Sequence, residues 1–132
     1  MDLLAVVGAP APDFILHDLN SKVFRLADQR GKVLVLNLWS ADCAHCGRTD
    51  EMLASLRSVW GDRVQVWWIA PNANEDDGSL KRAALQHRVG IAMRDPGRSI
   101  ADRYGAQTTP HLLVIDEQGI LRYAGAPDDV SF

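Results

Sequence analysis

The chain has 132 residues, and its 17 acidic against 14 Lys and Arg side chains give a net charge of −3. Apolar residues make up 47% and charged residues 23%, the balance of a folded chain with one hydrophobic core, so a single domain over 1–132 is expected. The acidic balance, with no dense Lys/Arg run, argues against nucleic acid or an anionic membrane surface as a general partner, and no stretch nears the roughly 18 apolar residues that cross a bilayer.

The opening Met1-Asp2-Leu3-Leu4-Ala5-Val6-Val7-Gly8 has an acid at position 2, no basic residue and a short apolar run, so it does not read as a secretory leader. Gly8-Ala9-Pro10-Ala11-Pro12-Asp13-Phe14 is proline-rich and predicts extended or turn backbone. Phe14-Ile15-Leu16 and Val23-Phe24-Arg25-Leu26 predict two short strands around a turn at Asn20-Ser21. After the break at Arg30-Gly31-Lys32 comes the strongest strand signal, Val33-Leu34-Val35-Leu36-Asn37-Leu38-Trp39, nearly apolar throughout as in a strand covered on both faces.

Met52, Leu53, Leu56, Val59 and Trp60 then recur at helical spacing, with Arg48, Asp50, Glu51, Ser55 and Arg57 as the wet face and Gly61 as the stop. Val64-Gln65-Val66-Trp67-Trp68-Ile69-Ala70 is a second buried strand, which completes a β-α-β unit and predicts a parallel pair. Adjacent on a strand, Trp67 and Trp68 face opposite sides of the sheet. Residues 72–78 read as a loop, 79–89 as a helix, and 99–104 as a shorter helix after Asp95-Pro96-Gly97. His111-Leu112-Leu113-Val114-Ile115 is a further strand, and Asp116-Glu117-Gln118-Gly119 turns the chain so that Ile120-Leu121-Arg122-Tyr123 returns antiparallel. The whole predicts α/β architecture with a mixed sheet.

The two cysteines, Cys43 and Cys46, form a Cys-x-x-Cys motif where the first buried strand gives way to the first long helix. Such a pair is read first as a redox centre and second as half of a metal site. A helix N-terminus has unpaired N–H groups and the positive end of the macrodipole, and both favour a thiolate at Cys43. Cys46 on the first turn can return to attack a mixed disulfide on Cys43. A hydrogen-bonding or protonated His45 adds to thiolate stability, whereas the carboxylate of Asp42 opposes it. Zinc would require two further ligands; His45, His87 and His111 are candidates, but none stands at zinc-finger spacing and no second cysteine pair exists. Haem attachment requires His after the second Cys, where this chain has Gly47. Two inert core cysteines would have no reason for this spacing at such a junction.

Four stretches carry a resemblance: Ala11-Pro12-Asp13-Phe14-x-Leu16-x-Asp18; Gly31 to Trp39 followed by the cysteine pair; Tyr104-Gly105-Ala106-Gln107-Thr108-Thr109-Pro110 before a strand; and Ile115 to Gly125. In this order the chain resembles the thioredoxin superfamily, in its TlpA/ResA-like or redoxin (AhpC/TSA-like) branch. The resemblance implies a thioredoxin-like fold, a mixed central sheet flanked by helices, with an N-terminal β extension and without the family's final helix. It makes Cys43 the nucleophile and Cys46 the resolving cysteine, with no cofactor and no metal. It makes Thr109-Pro110 a cis-proline turn beside the sulfurs and Trp39 a supporting aromatic. Asn37 stands where thioredoxins proper carry a buried Asp, which leaves Glu75 as the candidate acid/base.

The activity so implied is protein thiol–disulfide exchange, with protein thiols or disulfides and an upstream redox partner as partners. The resemblance favours a periplasmic or other extracytoplasmic site, leaves a cytoplasmic one open, and puts any membrane attachment in a segment outside this sequence. A thiol peroxidase is the enzymatic alternative, but Leu36 occupies the proline position of that pattern. A non-catalytic binding module or metal chaperone on the same fold is the other, and the spacing of two residues between the cysteines, rather than three, weakens it.

Overall fold

A computed structural model describes residues 5–39, 46–71, 76–86, 89–106 and 110–126. The proline-rich start leads into a small antiparallel pair, β1 (Ile15–His17) and β2 (Val23–Arg25). Its turn is closed by Asp18, whose carboxylate accepts the N–H groups of Asn20 and Lys22 at 2.8 Å. Leu16 is buried between exposed Ile15 and His17, as alternation on a half-covered strand requires.

The main sheet has five strands in the order β5-β4-β3-β6-β7. β3 (Val33–Leu38) lies at its centre, parallel to β4 (Val64–Ala70) and antiparallel to β6 (His111–Ile115). β5 (Ile91–Arg94) extends the parallel side and β7 (Leu121–Gly125) the antiparallel side. The apolar runs expected for β3, β4 and β6 are therefore the three interior strands. The hairpin to β7 is pinned by Asp116, which accepts from the N–H groups of Gln118 and Ile120 at 2.9 Å, with Gly119 at φ 84° in the turn.

The two faces of the sheet hold two cores. On one face α1 (Cys46–Trp60) and α2 (Asp77–Gln86) bury Leu53, Leu80 and Ala83 against Val35, Trp39, Val66, Trp68 and Leu112. On the other, α3 (Ser99–Arg103), the N-terminal segment and the β1–β2 pair cover Leu36, Leu38, Trp67, Ile69, Met93 and Leu113. Trp67 and Trp68 do point into opposite cores, each fully buried. Trp67 meets Phe14 and Phe24 edge-on, with ring centres 6.2 and 5.5 Å away.

Several expectations are corrected. β5 was not anticipated: Ile91-Ala92-Met93-Arg94 is too short and mixed to signal a strand alone, and it pairs because β4 offers an open parallel edge. The helix expected over 79–89 is α2 at Asp77–Gln86, so Gly78 is helical rather than loop. Its start is set by Asp76, whose carboxylate accepts the Ser79 N–H at 2.7 Å while its carbonyl accepts the Leu80 N–H. Val89 lies beyond the helix because Gly90 and β5 follow at once. Val59 belongs to the apolar positions expected of α1 but is 74% exposed; the face turned to the sheet carries Leu53 with half-buried Met52 and Trp60, and Val59 lies off it. The final helix, expected to be missing, would concern residues 127–132, outside the described residues.

Candidate active site

The connection from β3 to β4 fixes where the site lies. β3 and β4 run parallel in the register Val33 to Val64, so α1 must carry the chain back along the sheet. Its last residue, Trp60, adjoins the turn Gly61–Arg63 that enters β4. The start of α1 therefore stands at the other end, where β3 terminates at Leu38 and Trp39. Position 46, the second cysteine, is the first residue of this helix. The antiparallel register sets Leu38 opposite His111. Pro110, which precedes His111, thus reaches the same end of the adjacent strand. Three separate stretches of sequence, Leu38-Trp39, the first turn of α1 and Pro110-His111, converge there.

Of the residues singled out from sequence, Cys43, His45, Glu75 and Thr109 lie outside the described residues. Trp39 is fully buried in the core under α1 and α2, and its backbone N–H donates to the Ile69 carbonyl at 2.9 Å. It packs as a core residue at the edge of the site. Pro110 is half-buried at the entrance to β6. His87 lies outside the described residues.

The first turn of α1 contains no acidic residue, and Arg48 within it is exposed. The positive helix end is thus left uncompensated by a carboxylate among its own first residues, the electrostatic setting that favours an anion before the helix. Asn37 is fully buried at the centre of the sheet, on the same side as Val35 and Trp39 and so under α1. Thr49 is 7% exposed, a buried hydroxyl one turn after Cys46. Sequence periodicity passed over Thr49, because a threonine does not register in an apolar stripe; its spacing of three from Cys46 and four from Leu53 was the available signal. His111 is half-buried, and burial holds its imidazole below the ordinary histidine range. Its Nε2 finds no hydrogen-bond partner among the described residues.

On the far side of the same sheet end, Asp95 is 2% exposed. Its carboxylate accepts the backbone N–H groups of Ile100 at 2.9 Å and Ala101 at 2.8 Å, and the Ser99 hydroxyl at 3.2 Å. It caps α3, the helix that precedes the Pro110 segment. Among the described residues no group of His, Cys, Asp or Glu side chains is arranged to hold a metal ion. No described helix is long and apolar enough to cross a membrane.

A central mixed sheet with β3 leading to α1, and an antiparallel strand entered through proline beside it, is the thioredoxin-like architecture. The thioredoxin domain of a thiol-disulfide oxidoreductase from Bacteroides vulgatus superposes with a TM-score of 0.79 over 90% of this chain and 87% of its own, at 18% identity. A family model described as the AhpC/TSA family matches residues 7–124, and the chain belongs to that family. Among curated proteins it is similar to the thiol-disulfide oxidoreductase ResA of Halalkalibacterium halodurans, 30% identical over 118 residues, covering 88% of this chain and 66% of that protein. The ResA of Geobacillus thermodenitrificans is 31% identical over 116 residues, covering 86% of this chain and 65% of that protein. The chain thus spans just under two thirds of the length of these relatives.

Proposed function

We propose that this protein is a thiol–disulfide oxidoreductase that exchanges disulfides with protein substrates through Cys43 and Cys46. The observation that carries the reading is the convergence of the α1 N-terminus with Pro110 at one end of the sheet, within a chain similar to proteins named thiol-disulfide oxidoreductase. Cys43, three residues before the helix, is the nucleophile. Cys46, on the helix, resolves the mixed disulfide. His45 and the uncompensated helix end stabilise the Cys43 thiolate, and Trp39 and the Thr109-Pro110 turn shape the site. Glu75 is the candidate proton carrier. An upstream redox partner resets the couple after each turnover.

The AhpC/TSA family match raises thiol peroxidation as a second reading. Leu36 argues against it. It is fully buried in the middle of β3 and hydrogen-bonded in the ladder, where the proline of a peroxide-binding loop has no place.

Trapping tests the proposal. Cys46→Ser is expected to accumulate mixed disulfides with partner proteins, and Cys43→Ser to abolish exchange. A Cys46→Ser protein that traps nothing, or a Cys43→Ser protein that still exchanges, overturns it. Consumption of hydrogen peroxide faster than by free thiol would move the peroxidase reading to the front.

A further inference from the structure

At the end of the sheet away from the α1 N-terminus, where β3 begins and β6 finishes, there is a cavity of about 130 Å³. Three stretches of chain wall it: the short 3-10 turn Leu26–Gln29, the start of β3 and the hairpin between β6 and β7. Backbone bonds tie these walls together. The Gly31 N–H donates to the Glu117 carbonyl at 2.9 Å, and the Ala11 N–H to the Gly119 carbonyl at 2.8 Å. The floor is apolar and consists of Leu26, Leu34 and Ile115, all buried. The rim is charged: Arg30, Lys32 and Asp13 are exposed, and Asp116 is half-buried. The volume is close to the roughly 150 Å³ that holds a benzene ring in an engineered apolar cavity, so a short alkyl chain fits.

The charges on the rim do not cancel. The Asp116 carboxylate already accepts from the N–H groups of Gln118 and Ile120 and from Nε of Arg122 at 2.7 Å. Asp13 accepts the Phe14 N–H at 2.9 Å, and the Arg103 guanidinium, which donates to the Asp13 carbonyl, stands beside it. The side chains of Arg30 and Lys32 have no hydrogen bond or ion pair among the described residues. Arg30 is nevertheless seated. A Cβ built on Gly119 would come within 2.6 Å of its Nε and 2.8 Å of its Cζ, so the guanidinium lies on the hairpin backbone in space that glycine leaves open.

We propose that this cavity binds a short-chain aliphatic monocarboxylate, with its alkyl chain on Leu26, Leu34 and Ile115 and its carboxylate at Arg30 and Lys32. A planar guanidinium matches a carboxylate with two parallel donors. The apolar floor gives a bare inorganic anion nothing to cover, and the unpaired cations give a neutral alkyl chain no advantage. Asp13 on the same rim disfavours a second negative charge on the ligand. The site stands apart from disulfide exchange and does not depend on that reading.

Butyrate is the probe, with butanol and inorganic phosphate in parallel, each titrated at constant ionic strength into nitrogen-15-labelled protein and followed by amide NMR shifts. Saturable shifts at Gln29, Lys32, Leu34 and Ile115 are expected with butyrate, with a dissociation constant in the millimolar range as befits so small a ligand. Butanol and phosphate are expected to bind at least about tenfold more weakly, each lacking one half of the contact. Arg30→Gln should weaken butyrate binding about tenfold, and Arg30→Lys less, because it keeps the charge and loses the fork. Lys32→Gln gives a second test should Arg30→Gln disturb the hairpin. The proposal is overturned by butyrate shifts that do not saturate or that fall elsewhere, by butanol or phosphate binding as well as butyrate, or by unchanged butyrate affinity in the folded Arg30→Gln and Lys32→Gln proteins.

Discussion

The guanidinium carbon of Arg57 on α1 stands 5.7 Å from the ring centre of Trp68 on β4. The long side chain reaches down to the sheet and lies across the indole, with its other side against Gly90 at the start of β5. A Cβ built on Gly90 would come within 2.8 Å of that same guanidinium carbon. Arg57 therefore ties α1 to β4 and is seated in a space that glycine leaves open.

The pair Arg57 and Gly90 should behave as one unit. Arg57→Ala is expected to cost about 0.5–1 kcal/mol from the lost cation–π contact and stem packing. Gly90→Ala should cost a similar amount, because it pushes the guanidinium off the indole. The double variant should be no less stable than Arg57→Ala alone, since the contact can be lost once. Urea unfolding of the four proteins gives the coupling; strictly additive losses would show that the glycine is required for another reason.

Asp95 is the buried cap whose loss should be felt most. Asp95→Ala leaves the N–H groups of Ile100 and Ala101 without their acceptor, and a cost of about 2 kcal/mol is expected. Asp95→Asn retains one acceptor oxygen and should lose less. Thermal unfolding compares them, and equal melting temperatures for the alanine and parent proteins would contradict the capping role.

Two kinds of group set the acid sensitivity. His111 is held below its ordinary range by burial, so the unfolded chain takes up its proton first as pH falls. Its contribution to stability is full above about pH 6.5, the unfolded value, and declines as pH drops through the folded value. The carboxyl of Asp116 is lowered, first by the Ile120 N–H and then by the Arg122 side chain, and that of Asp76 chiefly by the Ser79 N–H. Their contributions are present above roughly pH 4 and are lost as pH falls through their lowered folded values. His111→Gln should flatten the stability profile just below about pH 6.5. Asp116→Asn should flatten it below about pH 4. Urea midpoints across pH check both windows.

The redox potential reports on His45. Replacement of His45 by Ala should remove stabilisation of the Cys43 thiolate and make the couple more reducing, by about 30 mV for each 1.4 kcal/mol lost. Thiol trapping across glutathione and dithiothreitol buffers measures it. An unchanged potential would assign thiolate stabilisation to the helix end and not to the imidazole.

Residues 33–39, 64–70 and 111–115 announced their strands because interior strands are apolar on both faces, and Asp116 to Gly119 announced its turn because those residues bond their own backbone. The Cys-x-x-Cys spacing is legible in the same way, and the exchange chemistry proposed for it rests on that spacing together with the family match. Tertiary structure alone decided that Ile91–Arg94 is a strand, since four residues of mixed character become one only where the edge of β4 is there to pair with them. It alone decided that Val59 faces water, because a helix with several apolar positions buries the ones that meet the sheet. The register of Leu38 with His111, which brings Pro110 to the end of the sheet where α1 begins, is a contact across more than seventy residues of chain. Local preference can make a strand there, but only the packing of the two cores on either side of the sheet selects which strands are neighbours and in what register.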